Sequence, residues 1–145
     1  MRNIVVILFI ISVGVSCKTL QHSCAASFSK MSLLTRKEWI IDSVYQNCKG
    51  PGTGTLAYVR GGTENVVDLD KVRSIFWDNG QFDTFDASGN YHSYTWNITN
   101  KDSTNLTIIS ESNYTISGKI LKLDATHFVF YDSTNNAIDF QKAKD

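Results

Sequence analysis

From Trp39 onward the chain is a succession of short runs rich in Val, Ile, Thr, Tyr, Phe and Trp, broken every few residues by Gly, Asn, Asp or Ser. Branched and aromatic side chains fit a pleated surface, and turn formers at this spacing leave no room for a helix of ordinary length. Residues 38–45, 55–59, 66–69, 72–77, 81–86, 91–98, 105–110, 114–117, 120–124, 127–132 and 137–142 read as strands, some of which must merge or become loops. Turn signals at Asp78-Asn79-Gly80, Ala87-Ser88-Gly89-Asn90 and Asp124-Ala125-Thr126 join consecutive runs as hairpins, so pairing is sequential and antiparallel. Leu121 with Leu123, Phe128 with Phe130 and Ile138 with Phe140 fall at alternate positions, which predicts one buried face. A meander of about eight strands removes its exposed edges by closing on itself. The expected fold is therefore all-β, a single antiparallel up-and-down barrel, with a two-sheet sandwich as the alternative.

Two segments interrupt the strand pattern. Lys49-Gly50-Pro51-Gly52-Thr53-Gly54 cannot be a strand interior and reads as a flexible loop. It lacks the Lys-Ser/Thr and the helix that a phosphate-binding glycine loop requires. Arg60-Gly61-Gly62-Thr63 is a second turn, and the two are expected to flank the barrel mouth.

The first residues are of another kind. Arg2 precedes an apolar run through Val15-Ser16, too short to span a membrane comfortably and ending in small residues before Cys17. This pattern resembles a bacterial lipoprotein signal, with Gly14 where a branched aliphatic residue is usual. The resemblance implies a signal peptide over 1–16, lipidation of Cys17 and a membrane anchored through that lipid; the alternative is ordinary cleavage and secretion. Removing residues 1–16 from 145 leaves 129, enough for one domain with a core. Residues 17–33 read as a polar tether, with room for a short helix of about one turn around Ala25 to Leu34, and 34–145 as the barrel domain. Before processing, 14 basic residues balance 14 acidic ones with no run of either sign, which excludes a nucleic-acid partner on electrostatic grounds. With Cys17 acylated, Cys24 and Cys48 remain as a candidate disulfide in an oxidising compartment, the alternative being two thiols.

Leu34-Thr35-Arg36-Lys37-Glu38-Trp39-Ile40-Ile41, Ser74-Ile75-Phe76-Trp77-Asp78-Asn79-Gly80-Gln81-Phe82, Tyr94-Thr95-Trp96-Asn97-Ile98 and Leu106-Thr107-Ile108 together resemble the lipocalin-like domains of bacterial lipoproteins. That resemblance implies a lipocalin-like barrel whose floor is closed by Trp39. Lys37 stands where the family has Gly, and Lys142 or Lys144 is the nearest match to the Arg that covers the floor Trp from the last strand.

Candidates for chemistry are sparse. His22, His92 and His127 are scattered without metal-ligand spacing, there is no Gly-x-Ser-x-Gly, and Asp68 and Asp70 read as a solvated strand edge, so neither an enzyme nor a cofactor is expected. The aromatics Trp77, Phe82, Tyr94, Trp96, Phe128 and Phe130 either fill the barrel or line a ligand cavity. His92, Tyr94, Trp96 and Ile98 share one parity, where polar and aromatic groups would converge inward. Two functions follow as expectations: a carrier of a small hydrophobic or amphipathic ligand, or an envelope scaffold whose filled barrel contacts a protein through its loops. The expected site is the cell envelope, at the outer membrane facing the periplasm, with the cell surface or secretion as alternatives.

Overall fold

The structure, a computed structural model, describes residues 30–35, 37–99, 102 and 104–144. The expected signal segment, Cys17, Cys24 and His22 lie outside them. One helical turn, α1 Lys30–Leu34, precedes nine strands: β1 Glu38–Gln46, β2 Thr55–Val59, β3 Arg73–Phe76, β4 Gln81–Phe85, β5 Tyr91–Ile98, β6 Asn105–Ile109, β7 Thr115–Leu123, β8 His127–Asp132 and β9 Ala137–Ala143. Strands β3 to β9 pair in sequence, all antiparallel, and β1 closes the ring by pairing with β9 on one edge and β3 on the other. Eight strands thus form a closed barrel. The ninth, β2, pairs with residues 43–46 of β1, on the stretch of edge that β3 leaves free.

Local chemistry explains the hairpins. Asp86 Oδ1 accepts the Ser88 and Asn90 N–H groups, Asp124 Oδ1 those of Thr126 and His127, and Asp132 Oδ1 those of Thr134 and Asn135. Each carboxylate folds the chain over itself as an Asx turn. Hydrogen bonding to His92 and then Asn90 holds Asp86 well below the usual carboxylate range, and the Thr126 and His127 N–H groups do the same for Asp124.

Three expectations are corrected. Residues 66–69 form no strand: they belong to the connection between β2 and β3, where Asn65 bonds both the N–H and the C=O of Val59. Residues 114–117 and 120–124 are not two strands but one, β7. A bulge between Ile120 and Lys122 then turns Leu121 outward while Ile120 and Leu123 face the core, so Leu121 and Leu123 do not share a face. The third concerns β9. Residue pairs Phe128↔Gln141 and Phe130↔Asp139 put the odd-numbered residues of β9 inside, and Ile138 and Phe140 lie on the outer wall. Ile138 packs there against Val129 and Cys48, and Tyr45 meets the Phe140 ring edge-on at 5.7 Å.

The floor half of the barrel is solid. Trp39 and Leu34 are fully buried with Phe76, Trp96, Leu106, Ile120 and Phe128. Phe76 stands edge-on to both Trp96 and Phe128, at 5.5 and 5.8 Å, and Trp39 contacts Phe128 at 5.6 Å. Both buried indole N–H groups are satisfied by backbone, Trp39 donating to Leu34 O and Trp96 to Trp77 O, each at 2.9 Å. Trp39 is thus buried at the end of the barrel that α1 packs against. Lys142 and Lys144 bond Asp42 and Glu38 on the surface.

Candidate functional site: the upper chamber

Above this floor the barrel is hollow. A chamber of about 200 Å³ is lined by the inward-facing residues of β1 and β3 to β9. Phe82, Tyr94, Phe128 and Phe130, four of the six aromatics expected there, line it, with Leu106, Ile108 and Ile116. Trp96 faces inward but is spent in the floor, 6 % exposed. Trp77 is not inside at all.

Trp77 lies on the outer wall, 44 % exposed, and its Nε1–H donates to Asp83 Oδ2 at 2.7 Å. Asp83 also accepts from Gln81 Nε2, Tyr91 OH and Ser93 Oγ. Burial raises the proton affinity of this carboxyl, and the four hydrogen bonds outweigh it, so its pKa falls below the ordinary value. Replacing Asp83 with Ala should therefore lower stability by about 1–2 kcal/mol in urea titrations at neutral pH, because four oriented donors lose one charged acceptor. A loss indistinguishable from zero would show that water replaces the carboxylate without penalty.

The chamber wall contains polar groups that the sequence reading missed: Ser74, Thr84, Asp132, Asp139 and Gln141. Ser74 and Thr84 are direct cross-strand partners, and Thr84 Oγ1 donates to Arg73 O at 3.0 Å. Asp132 is committed to its turn, accepting from Thr134 N, Asn135 N and Asn135 Nδ2. Asp139 has no hydrogen-bond or ion-pair partner among the described residues. Burial, then the neighbouring Asp132 charge, push its carboxyl up to about 7. Gln141 is 7 % exposed, and its Oε1 is buried without a partner. One signal in the sequence pointed here: a four-residue turn after Asp132 sets Phe130 opposite Asp139, so both face the same way.

Residues 60–72 connect β2 to β3 and pack along β1 and β2. Leu69 and Val72 pack on Ile41, Val44 and the fully buried Tyr58. The Tyr58 hydroxyl donates to Asp70 Oδ1, and burial with that bond pushes its pKa up to about 12. Arg60 Nη1 reaches the same carboxylate at 3.7 Å, so Asp70 ties the connection to β2. Cys48 is buried near the mouth with its N–H on Asn136 O, and its expected partner Cys24 is outside the described residues. His92 meets Asp86 at 3.1 Å and stacks on Tyr94, while His127 meets Asp124. No group of three or more His, Cys, Asp or Glu among the described residues is arranged to hold a metal ion.

The backbone architecture of this closed ring is shared with solved structures. A lipocalin-like protein from Bacteroides uniformis superposes with a TM-score of 0.52 over 77 % of this chain and 99 % of its own, at 13 % identity. The fold is lipocalin-like. An uncharacterized protein from Bacteroides eggerthii matches with a TM-score of 0.50, 11 % identity and coverage of 74 % and 98 %. No family model matches the sequence, and no curated protein does. At these identities the lipocalin-like likeness is one of backbone architecture, and the chamber chemistry has to be read from this chain's own residues.

Proposed function

We propose that this protein is a lipid-anchored component of the cell envelope, facing the periplasm from the outer membrane, whose barrel binds one small amphipathic molecule. The observation that carries the binding role is the chamber itself: about 200 Å³ walled by aromatic and aliphatic side chains, with a few convergent polar groups on β9 and β3. The basic start, apolar run and Cys17 support export and lipidation. Lys30–Leu34 packs at the floor end through Leu34. On this reading the role is one of carriage.

The binding role is tested by filling the chamber. Ile108 lines it at 7 % exposure, and Ile108→Trp should occupy the space while leaving the barrel folded. Single-ring ligands that shift the NMR spectrum of the native protein with 1:1 stoichiometry should lose at least about tenfold in affinity against the variant. Equal affinity in both would remove the chamber from consideration and leave the loops as the working surface. The anchor is tested by intact mass of protein taken from host membranes: the expected species begins at Cys17 and carries acyl mass, and an unlipidated chain would refute it.

A further inference from the structure

Resting on the ligand-binding reading above, we propose that the chamber selects a small organic cation, an ammonium group on a single-ring apolar body. The geometry is one-sided in charge. Asp132 and Asp139 line the chamber, and no Lys, Arg or His does. Asp132 is taken up by Thr134 and Asn135, but the Asp139 carboxyl is unpartnered among the described residues and the Gln141 Oε1 is buried without a donor. These two sit two residues apart on one face of β9, about 7 Å along the strand, and pair across to Phe130 and Phe128.

Each class of occupant can be weighed against that wall. An anionic ligand would bring a third negative group into a cavity with no cation. A neutral apolar ligand would cover the Asp139 carboxyl and leave it unsatisfied, which subtracts from what its own burial returns. An ammonium group has three donors and no acceptor, so it can satisfy the Asp139 carboxylate that faces the chamber. The aromatic wall of Phe82, Tyr94 and Phe130 then takes the ring, and its π faces add attraction for a cation. Size narrows the class further: a dry cavity of about 150 Å³ holds benzene, so about 200 Å³ holds about eight or nine non-hydrogen atoms, one ring and a short amine arm.

Protons compete for the same carboxyl. In the empty barrel Asp139 titrates near neutrality. From β8 only Asp132 faces it among ionisable groups, from β5 only Tyr94, and the lining residues of β1, β3, β4, β6 and β7 contribute none. Binding of a cation should therefore be strong above about pH 7 and weaken as the carboxyl is protonated below it.

The test compares three ligands of nearly equal shape, phenethylamine, 2-phenylethanol and phenylacetate, by calorimetry on the mature protein and on Asp139→Asn. At about pH 8 phenethylamine should bind at least about tenfold tighter than 2-phenylethanol, with phenylacetate weakest. That preference should shrink towards unity near pH 5.5, and Asp139→Asn, shown to be folded by circular dichroism, should abolish it. If the alcohol binds native protein as tightly as the amine, or the variant keeps the preference, the cation inference is wrong and the carrier reading stands. If none of the three binds, both are overturned.

Discussion

Changing Gly118 to Ala should cost about 3 kcal/mol and lower the melting temperature by about 10 °C, although the residue looks like a harmless strand glycine. The reason is space. Gly118 is in the middle of β7, opposite Leu106 on β6 and Asp132 on β8. An added Cβ would stand 2.0 Å from the Tyr131 carbonyl oxygen and 2.6 Å from Phe130 Cζ. A flexible side-chain tip could swing away, but the carbonyl belongs to the adjacent strand and cannot move without distorting the barrel. Lys119→Ala, one residue on and exposed, is the control and should change stability by less than about 0.5 kcal/mol. Thermal unfolding followed by far-ultraviolet circular dichroism separates the two. A Gly118→Ala variant as stable as the native protein would mean that β7 and β8 are further apart than described.

The second large effect runs the other way. Asp139→Asn should stabilise the ligand-free barrel on the order of 3 kcal/mol at pH 8 and by little at pH 4. In the unfolded chain this carboxyl loses its proton near its ordinary value of 3.8, whereas in the barrel it keeps it up to about 7. Between those two points the native state binds more protons than the unfolded one. Stability from this group is therefore full below about pH 4, declines as pH rises, and is lost above about 7. Asparagine has the same shape, no charge to desolvate, and no such decline. Asp86 and Asp124 behave oppositely, since their lowered values lend stability that disappears as pH falls below the ordinary carboxylate range. Measuring the native-minus-variant difference in urea midpoint across pH 4 to 8 cancels their contribution. A flat difference would show that Asp139 is well solvated in the barrel.

The fold was legible where local and global signals agree. Tyr91–Ile98 and His127–Asp132 are long apolar-aromatic runs between strong turn signals, and Trp39 and Trp96 point where their parity says. Residues 66–69 have the right composition for a strand, yet the free stretch of β1 edge is already taken by β2, so a strand signal there had nowhere to pair. Gly118 reads as punctuation in a sequence, and only the close approach of the Tyr131 backbone shows it to be the one residue that fits. The polar wall was hidden by Ile138 and Phe140: assigning the apolar pair to the interior is the natural choice, but the hairpin register decides the face and gave it to Asp139 and Gln141. Outward apolar residues were accommodated because Val129, Tyr45 and Cys48 cover them. Trp77 misled for a related reason, its indole being held outside by a carboxylate that composition does not reveal.

The seam between β1 and β9 has a kinetic consequence. Pairing of Trp39 with Ala143 and of Tyr45 with Ile138 spans nearly the whole domain, so the ring cannot shut until the last strand exists. A chain made from its N terminus holds the β9-facing edge of β1 open throughout synthesis, and contacts of such long range are slow to form, on the order of milliseconds to seconds. During that interval the unpaired edge is the part of this protein most open to wrong partners, and a holding chaperone would find its target at Trp39, Ile41 and Val44.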